Sequence, residues 1–130
     1  MEGTIFLLFF LLVLFQIKHY LADYPLQTDY MLRKFRQDGW VLPLLCHALI
    51  HGGFTLIIAS AFAAPMVAIS LAVFDTTIHF IMDRIKASPQ IFGKYQPDEK
   101  PYWLALGLDQ MVHHLTHYAI IFVIISSYIS

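Results

Sequence analysis

Apolar side chains fill residues 5 to 17 almost without interruption, and three further apolar stretches follow along the chain. Crossing the hydrocarbon core of a bilayer takes a helix of roughly 20 mostly apolar residues. The first stretch reaches that length only if it continues through Lys18, His19 and Asp23, up to the block imposed by Pro25. The pattern therefore predicts four spans, at about residues 4–23, 41–63, 66–86 and 102–126. Trp40 and the pair Tyr102-Trp103 open the second and fourth spans as interfacial aromatics, and Ala64-Pro65 makes an uncharged turn between the second and third. Between the first two spans, Leu26, Tyr30, Met31 and Phe35 alternate with Gln27, Asp29, Arg33, Lys34 and Arg36, the pattern of a short helix lying in the interface. The expected fold is all-α: a polytopic membrane protein, an antiparallel four-helix transmembrane bundle with a short interfacial helix between spans one and two, in a single domain of residues 1–130.

Composition supports that picture, since a chain that is 58% hydrophobic and 13% charged lies outside the usual range of soluble domains. Nothing remains for a separate soluble catalytic module. A net charge of -1 with no long basic run gives no reason to expect a nucleic-acid partner, which leaves membrane lipid. Cys46 is the single cysteine, so no internal disulfide and no cysteine-only metal site can form. Residues 1–3 carry no positive charge and no small-x-small cleavage site precedes His19, so the first stretch is expected to stay as a helix. Basic residues fall into two groups: Lys18, Arg33, Lys34 and Arg36 between spans one and two, and Arg84, Lys86, Lys94 and Lys100 between spans three and four. The positive-inside rule then places both connections in the cytoplasm and both termini outside, in a bacterial inner membrane.

Within the spans, polar residues recur every fourth position. His19 and Asp23 lie in the first, His47 and His51 in the second, Asp75, His79 and Asp83 in the third, and Asp109, His113 and His117 in the fourth. Residues four apart share one helix face, so each set is a stripe. Helices one and three run toward the side of the long connections and two and four run away from it, so all four stripes fall in the same half of the bilayer. Asp75 and Asp109 are expected to be the deepest carboxylates. An ionised carboxylate facing lipid costs at least about 2.5 kcal/mol, so the stripes should face inward. With Lys and Arg assigned to the connections, a divalent cation is the expected counter-charge. Imidazole and carboxylate donors suit zinc, manganese or iron, and ten groups are enough for one or two ions.

His114, Gln110 and Gln27 lie off the stripes and are expected to support ligands rather than act as ligands. Such a site, opening toward Arg33, Lys34, Arg36, Arg84 and Lys86, suggests a hydrolase acting on an anionic lipid or lipid-linked phosphate, with Asp23, Asp83 or His114 as general base. The same residues allow three other readings: a metal or proton transporter, a di-iron oxidoreductase, or a non-enzymatic module whose polar layer serves helix association and homo-oligomer formation. An almost wholly apolar outer half argues against a transport path.

The segments KHYLADYPLQTDYML at 18–32, HALIHG at 47–52, FDTTIHFIMDRIKA at 74–87 and LDQMVHHLTHY at 108–118 together resemble a small family of bacterial and phage membrane proteins described only as a domain of unknown function. That resemblance implies the membrane fold and no activity. In residue type alone, the His/Asp stripes are similar to those of membrane-bound metal-dependent hydrolases, and no residue roles carry over. His47-x-x-x-His51 with His113-His114 is similar to the histidine boxes of membrane desaturases, but too few histidines remain to complete such a set.

Overall fold

A computed structural model describes residues 1–130 and contains helices and turns only. Four long helices follow in order: α1 at Glu2–Asp23, α2 at Val41–Ser60, α3 at Pro65–Ala87 and α4 at Lys100–Ile129. All four are long and apolar enough to cross a membrane. Helix α1 does run through Lys18 and His19, ending where the Tyr24 N–H bonds the Tyr20 carbonyl just before Pro25. Pro43 sits in the first turn of α2 and Pro65 opens α3, positions where a missing N–H removes no intrahelical bond. Helix α4 is longer than the sequence suggests. It begins at Lys100 with Pro101 in its first turn and continues past Ser126 and Ser127 to Ile129.

The connection between α1 and α2 is less regular than the expected interfacial helix. It holds only a 3-10 helix at Met31–Phe35, and Met31 and Lys34 are buried rather than lying along a surface. Gly39, at φ 68°, turns the chain into α2. Arg84 secures this segment to α3, donating from Nη1 to the carbonyls of Lys34 and Arg36 while its guanidinium lies 3.9 Å from the centre of the Trp40 ring.

The helices close into a ring in which α2 and α3, joined by the shortest turn, pack most intimately. A methyl group on Gly52 would overlap the Thr76 hydroxyl and stand 3.0 Å from the Ala72 carbonyl, so this glycine sets the approach of the two helices. Gly53, one position on, has open space around it.

Polarity is distributed the opposite way from a water-soluble protein. Phe6, Ile57, Met66 and Phe122 point outward, each more than 70% exposed, whereas 14 of the 33 buried residues are polar or charged. The end of the bundle bearing the two long connections holds the polar interior. The other end is an apolar core that includes Leu11, Phe15, Ile58, Leu71, Ile120 and Ile124.

Candidate metal centre

Each helix turns its four-residue stripe into the bundle. Of the ten His and Asp residues, His19, His47, His51, Asp75, His79, Asp83, Asp109, His113 and His117 are buried, and Asp23 is half-buried. Four overlapping sets bring donor atoms within 4.8 Å of one another: His19, Asp23 and His113; Asp23, His47 and His51; His79, Asp83 and His113; and Asp75, His79 and His117. These sets take in nine of the ten. Asp109 belongs to none of them.

Near the long connections, Asp23 is ringed by imidazoles. His51 Nε2 is 2.8 Å from its Oδ1, His47 Nε2 is 3.4 Å from the same oxygen, and His19 Nε2 is 3.0 Å from Oδ2. His47 Nε2 also lies 3.1 Å from Asp83 Oδ2, linking the two carboxylates. In the middle, His51, His79 and His113 stack face to face, with ring centres 3.6 and 3.8 Å apart and planes 20° and 21° from parallel. Deeper still lies Asp75, which accepts a hydrogen bond from the Thr55 hydroxyl and pairs with the Lys18 ammonium at 2.5 Å. That ammonium also lies 3.2 Å from His117 Nε2.

Lysines overturn one expectation. Lys18 is not in a connection, and Lys34 and Lys86 do not turn to solvent. Lys18 holds Asp75, Lys34 reaches Asp83 at 3.0 Å, and Lys86 reaches Asp109 at 2.8 Å and Asp83 at 3.7 Å. Ordinary ion pairs therefore supply most of the counter-charge assigned above to a metal. A lysine stem is long enough to carry its charge more than one helical turn from its own Cα, so position in the chain did not reveal where the ammonium goes. With the histidines neutral, four carboxylates face three ammonium groups, and one negative charge is left over. It falls on Asp23, whose partners are all imidazoles.

A second correction concerns depth. Asp109 pairs with Lys86 in the last turn of α3, so it lies level with Asp83 rather than with Asp75. Helix α4 runs away from the long connections, so Asp109 leads its stripe and lies nearest that end, about 6 Å before His113 at 1.5 Å per residue.

The off-stripe residues fill supporting places. Gln110 Oε1 stands 3.2 Å from His19 Nε2 while its amide donates to Asp109. Gln27 accepts from Lys34 and donates to the Asp23 carbonyl. His114 is half-buried at the seam between α1 and α4, stacked on His19 at 5.7 Å, and its Nδ1 lies 3.3 Å from the Gln16 amide nitrogen. The sequence pattern passed over Lys18 and Thr55, and it turned Lys34 and Lys86 toward a headgroup rather than toward the buried Asp83 and Asp109. Of these, only Thr55 was signalled in the sequence, because it continues the interval of His47 and His51 by four.

Several buried polar atoms have no partner: Nδ1 of His19, His47 and His51, both ring nitrogens of His79 and His113, and one oxygen each of Asp75 and Asp109. Leaving one such atom unsatisfied costs about 1–3 kcal/mol, so this interior is chemically suited to taking up a charged or polar guest. Two histidines four apart on α2 with a carboxylate from α1 form a borderline-hard donor set. No curated protein and no solved structure matches the chain. The profile of a family described as "Protein of unknown function (DUF3307)" matches residues 10–130, and the chain belongs to that family.

Proposed function

We propose that this protein is a membrane-embedded, metal-dependent hydrolase that binds one divalent cation at Asp23, His47 and His51 and acts on a lipid or lipid-linked phosphate. The observation that carries the reading is the unbalanced carboxylate of Asp23, at the half-open end of the polar interior, facing three imidazole Nε2 atoms and no lysine. Three protein donors leave a coordination position for water or substrate, the usual difference between catalytic and structural sites. Asp23, His47 and His51 would hold the cation, and the chemistry it would supply there is acidification of water and polarisation of a phosphoryl oxygen.

The remaining roles belong to the chain. Lys34 and Lys86 fix Asp83, so Asp83 serves as an anchor rather than a mobile base. Asp23 is taken up as a ligand. Of the three candidate acid-base groups, His114 alone stays free at an accessible edge. With the Gln16 amide donating to its Nδ1, its proton sits on Nε2, placed to protonate a leaving group. A groove of about 330 Å³ runs from His114 and Gln16 past Val13 and Leu12 to Phe9, polar at one end and apolar along the rest. This suits an acyl or isoprenyl chain whose headgroup lies at the His114 end. Arg84, Lys34 and Lys86 already hold partners within the protein, so contact with an anionic headgroup falls to the exposed Arg33 and Arg36. In this reading both long connections face the cytoplasm of a bacterial inner membrane, with the termini outside.

The test is turnover of phospholipids and polyprenyl phosphates in vesicles carrying the purified protein. Phosphate or headgroup release should require metal, stop with chelator and be lost in His51→Ala. Release that ignores chelator, or no release from any of these lipids, overturns the reading.

A second reading has its own observation. Because three lysines balance three of the four carboxylates, the layer can also be a purely structural ion-pair network holding the helices together. It predicts a folded protein with no stoichiometric metal. The transporter reading is weaker, since the apolar core around Leu11, Phe15, Ile120 and Ile124 closes the far end of the bundle.

A further inference from the structure

The deepest donor set has the make-up of a second metal site, yet a lysine already stands in it. Asp75, His79 and His117 each offer a donor atom, all within 4.8 Å of one another, from α3 and α4. The Thr55 hydroxyl adds a fourth polar atom on Asp75. Asp75 Oδ1 and both ring nitrogens of His79 have no hydrogen-bond partner although both side chains are fully buried. Asp75 Oδ1 and His79 Nε2 face one another at 3.5 Å, so the pocket keeps polar atoms that no good hydrogen bond satisfies.

Into it projects Lys18. Its side chain is 1% exposed, and its ammonium lies 2.5 Å from Asp75 Oδ2 and 3.2 Å from His117 Nε2. A lysine within a few turns of the membrane surface ordinarily extends its amine toward water. Lys18 extends across the bundle instead, with its ammonium 5.5 Å from the centre of the Phe15 ring. A zinc ion on the same oxygen and nitrogen would sit about 2.0–2.2 Å from each, in the volume that Nζ occupies. Two cations cannot share that volume.

We infer that the Lys18 ammonium is the resident cation of a second, latent metal site at Asp75, His79 and His117, and that this lysine keeps a metal ion out of it, as Lys34 and Lys86 on Asp83 do for the set with His79 and His113. The inference rests on the Asp23 site only for a first ion, bound there. It also narrows the chemistry, since hydrolysis here would use one metal rather than two ions clamping the attacking and leaving oxygens.

The test is zinc stoichiometry, measured by elemental analysis of the full-length protein purified in detergent after growth in zinc-supplemented medium. Wild type should carry one zinc per chain, Lys18→Arg one, Lys18→Met two, and Lys18→Met/Asp75→Asn one again. Lys18→Gln, which keeps a neutral hydrogen-bond donor beside Asp75, is the companion in case the methionine variant does not fold, and it too should gain one zinc. A wild type with no zinc and a Lys18→Met variant with one would remove the Asp23 site while upholding this one. Equal zinc content in wild type and both neutral variants overturns the inference, as does a wild type that already carries two.

Discussion

Asp23 and Asp75 are the two carboxylates of the bundle most alike in their imidazole surroundings and least alike in their charge. Each lies within reach of histidines from neighbouring helices, and each belongs to a set of donors close enough to share an ion. Asp75 is sealed at 0% exposure, with a lysine on one oxygen, whereas Asp23 is 19% exposed at its side chain and meets only histidines. Four-residue periodicity thus brings donor atoms together in both places, and one lysine, five positions before Asp23, separates a charge-balanced carboxylate from an unbalanced one. Helix register decides what can meet. Charge decides what stays available.

The largest break in this comparison should come from Asp75→Asn. It leaves the Lys18 ammonium buried without a counter-ion, and removing one member of a buried pair typically costs about 3–5 kcal/mol. Thermal or denaturant unfolding in detergent should show that loss, and Lys18→Met/Asp75→Asn should recover most of it. Asp23→Asn should cost much less, because no lysine depends on Asp23. Equal destabilisation by the two asparagine variants would erase the distinction drawn here.

Next in size is His51→Ala. It removes a donor 2.8 Å from Asp23 and one outer ring of the three-ring stack. Loss of a group supporting a ligand weakens metal binding about 10- to 100-fold, and loss of a ligand itself should reach at least ~100-fold. A competition titration against a zinc indicator measures this. Unchanged affinity would move the ion away from α2.

Gly52 tests both clusters together, since it sets the spacing of the helices that carry His51 and His79. Gly52→Ala forces a methyl into the Thr76 hydroxyl and against the Ala72 carbonyl, an overpacking worth about 1–3 kcal/mol, whereas Gly53→Ala enters open space. The second variant should match or slightly exceed wild-type stability, because alanine is the better helix former. Should both glycines tolerate alanine equally, close packing at Gly52 would not set the register.

Much of this architecture is legible in the sequence because the bilayer allows few solutions. Long apolar runs fix the helices, and the high cost of polar groups in lipid turns the His/Asp stripes inward without any knowledge of neighbours. The lysines were illegible for a specific reason: backbone position says where a stem begins and not where its charge ends. Lys34 lies in a connection and still reaches Asp83, 49 residues away, a pairing no local spacing encodes. Asp109 was misplaced in depth for another reason: α3 runs toward the long connection, so the first carboxylate of its stripe, Asp75, is the deepest, whereas α4 runs away from it, so the first of its stripe, Asp109, is the shallowest.

The smallest expected effect comes from Gln110, which touches the Asp23 side of the comparison and leaves the Asp75 side alone. Its carbonyl accepts from His19 Nε2, and its amide donates to Asp109, which keeps Lys86 as its principal partner. Gln110→Met preserves length and helix propensity and removes both bonds, so His19 loses one of the two acceptors that orient its ring toward Asp23. If Asp23 holds a zinc ion as proposed, His19 would act on it only through Asp23, and the loss should fall at the low end of supporting-group effects, about 10-fold in zinc affinity. The unfolding midpoint and the Lys18–Asp75 pair should be unaffected. A drop in stability without a change in affinity would make Gln110 a packing residue and detach His19 from the metal site, leaving Asp23 with the two histidines of α2 as its working partners.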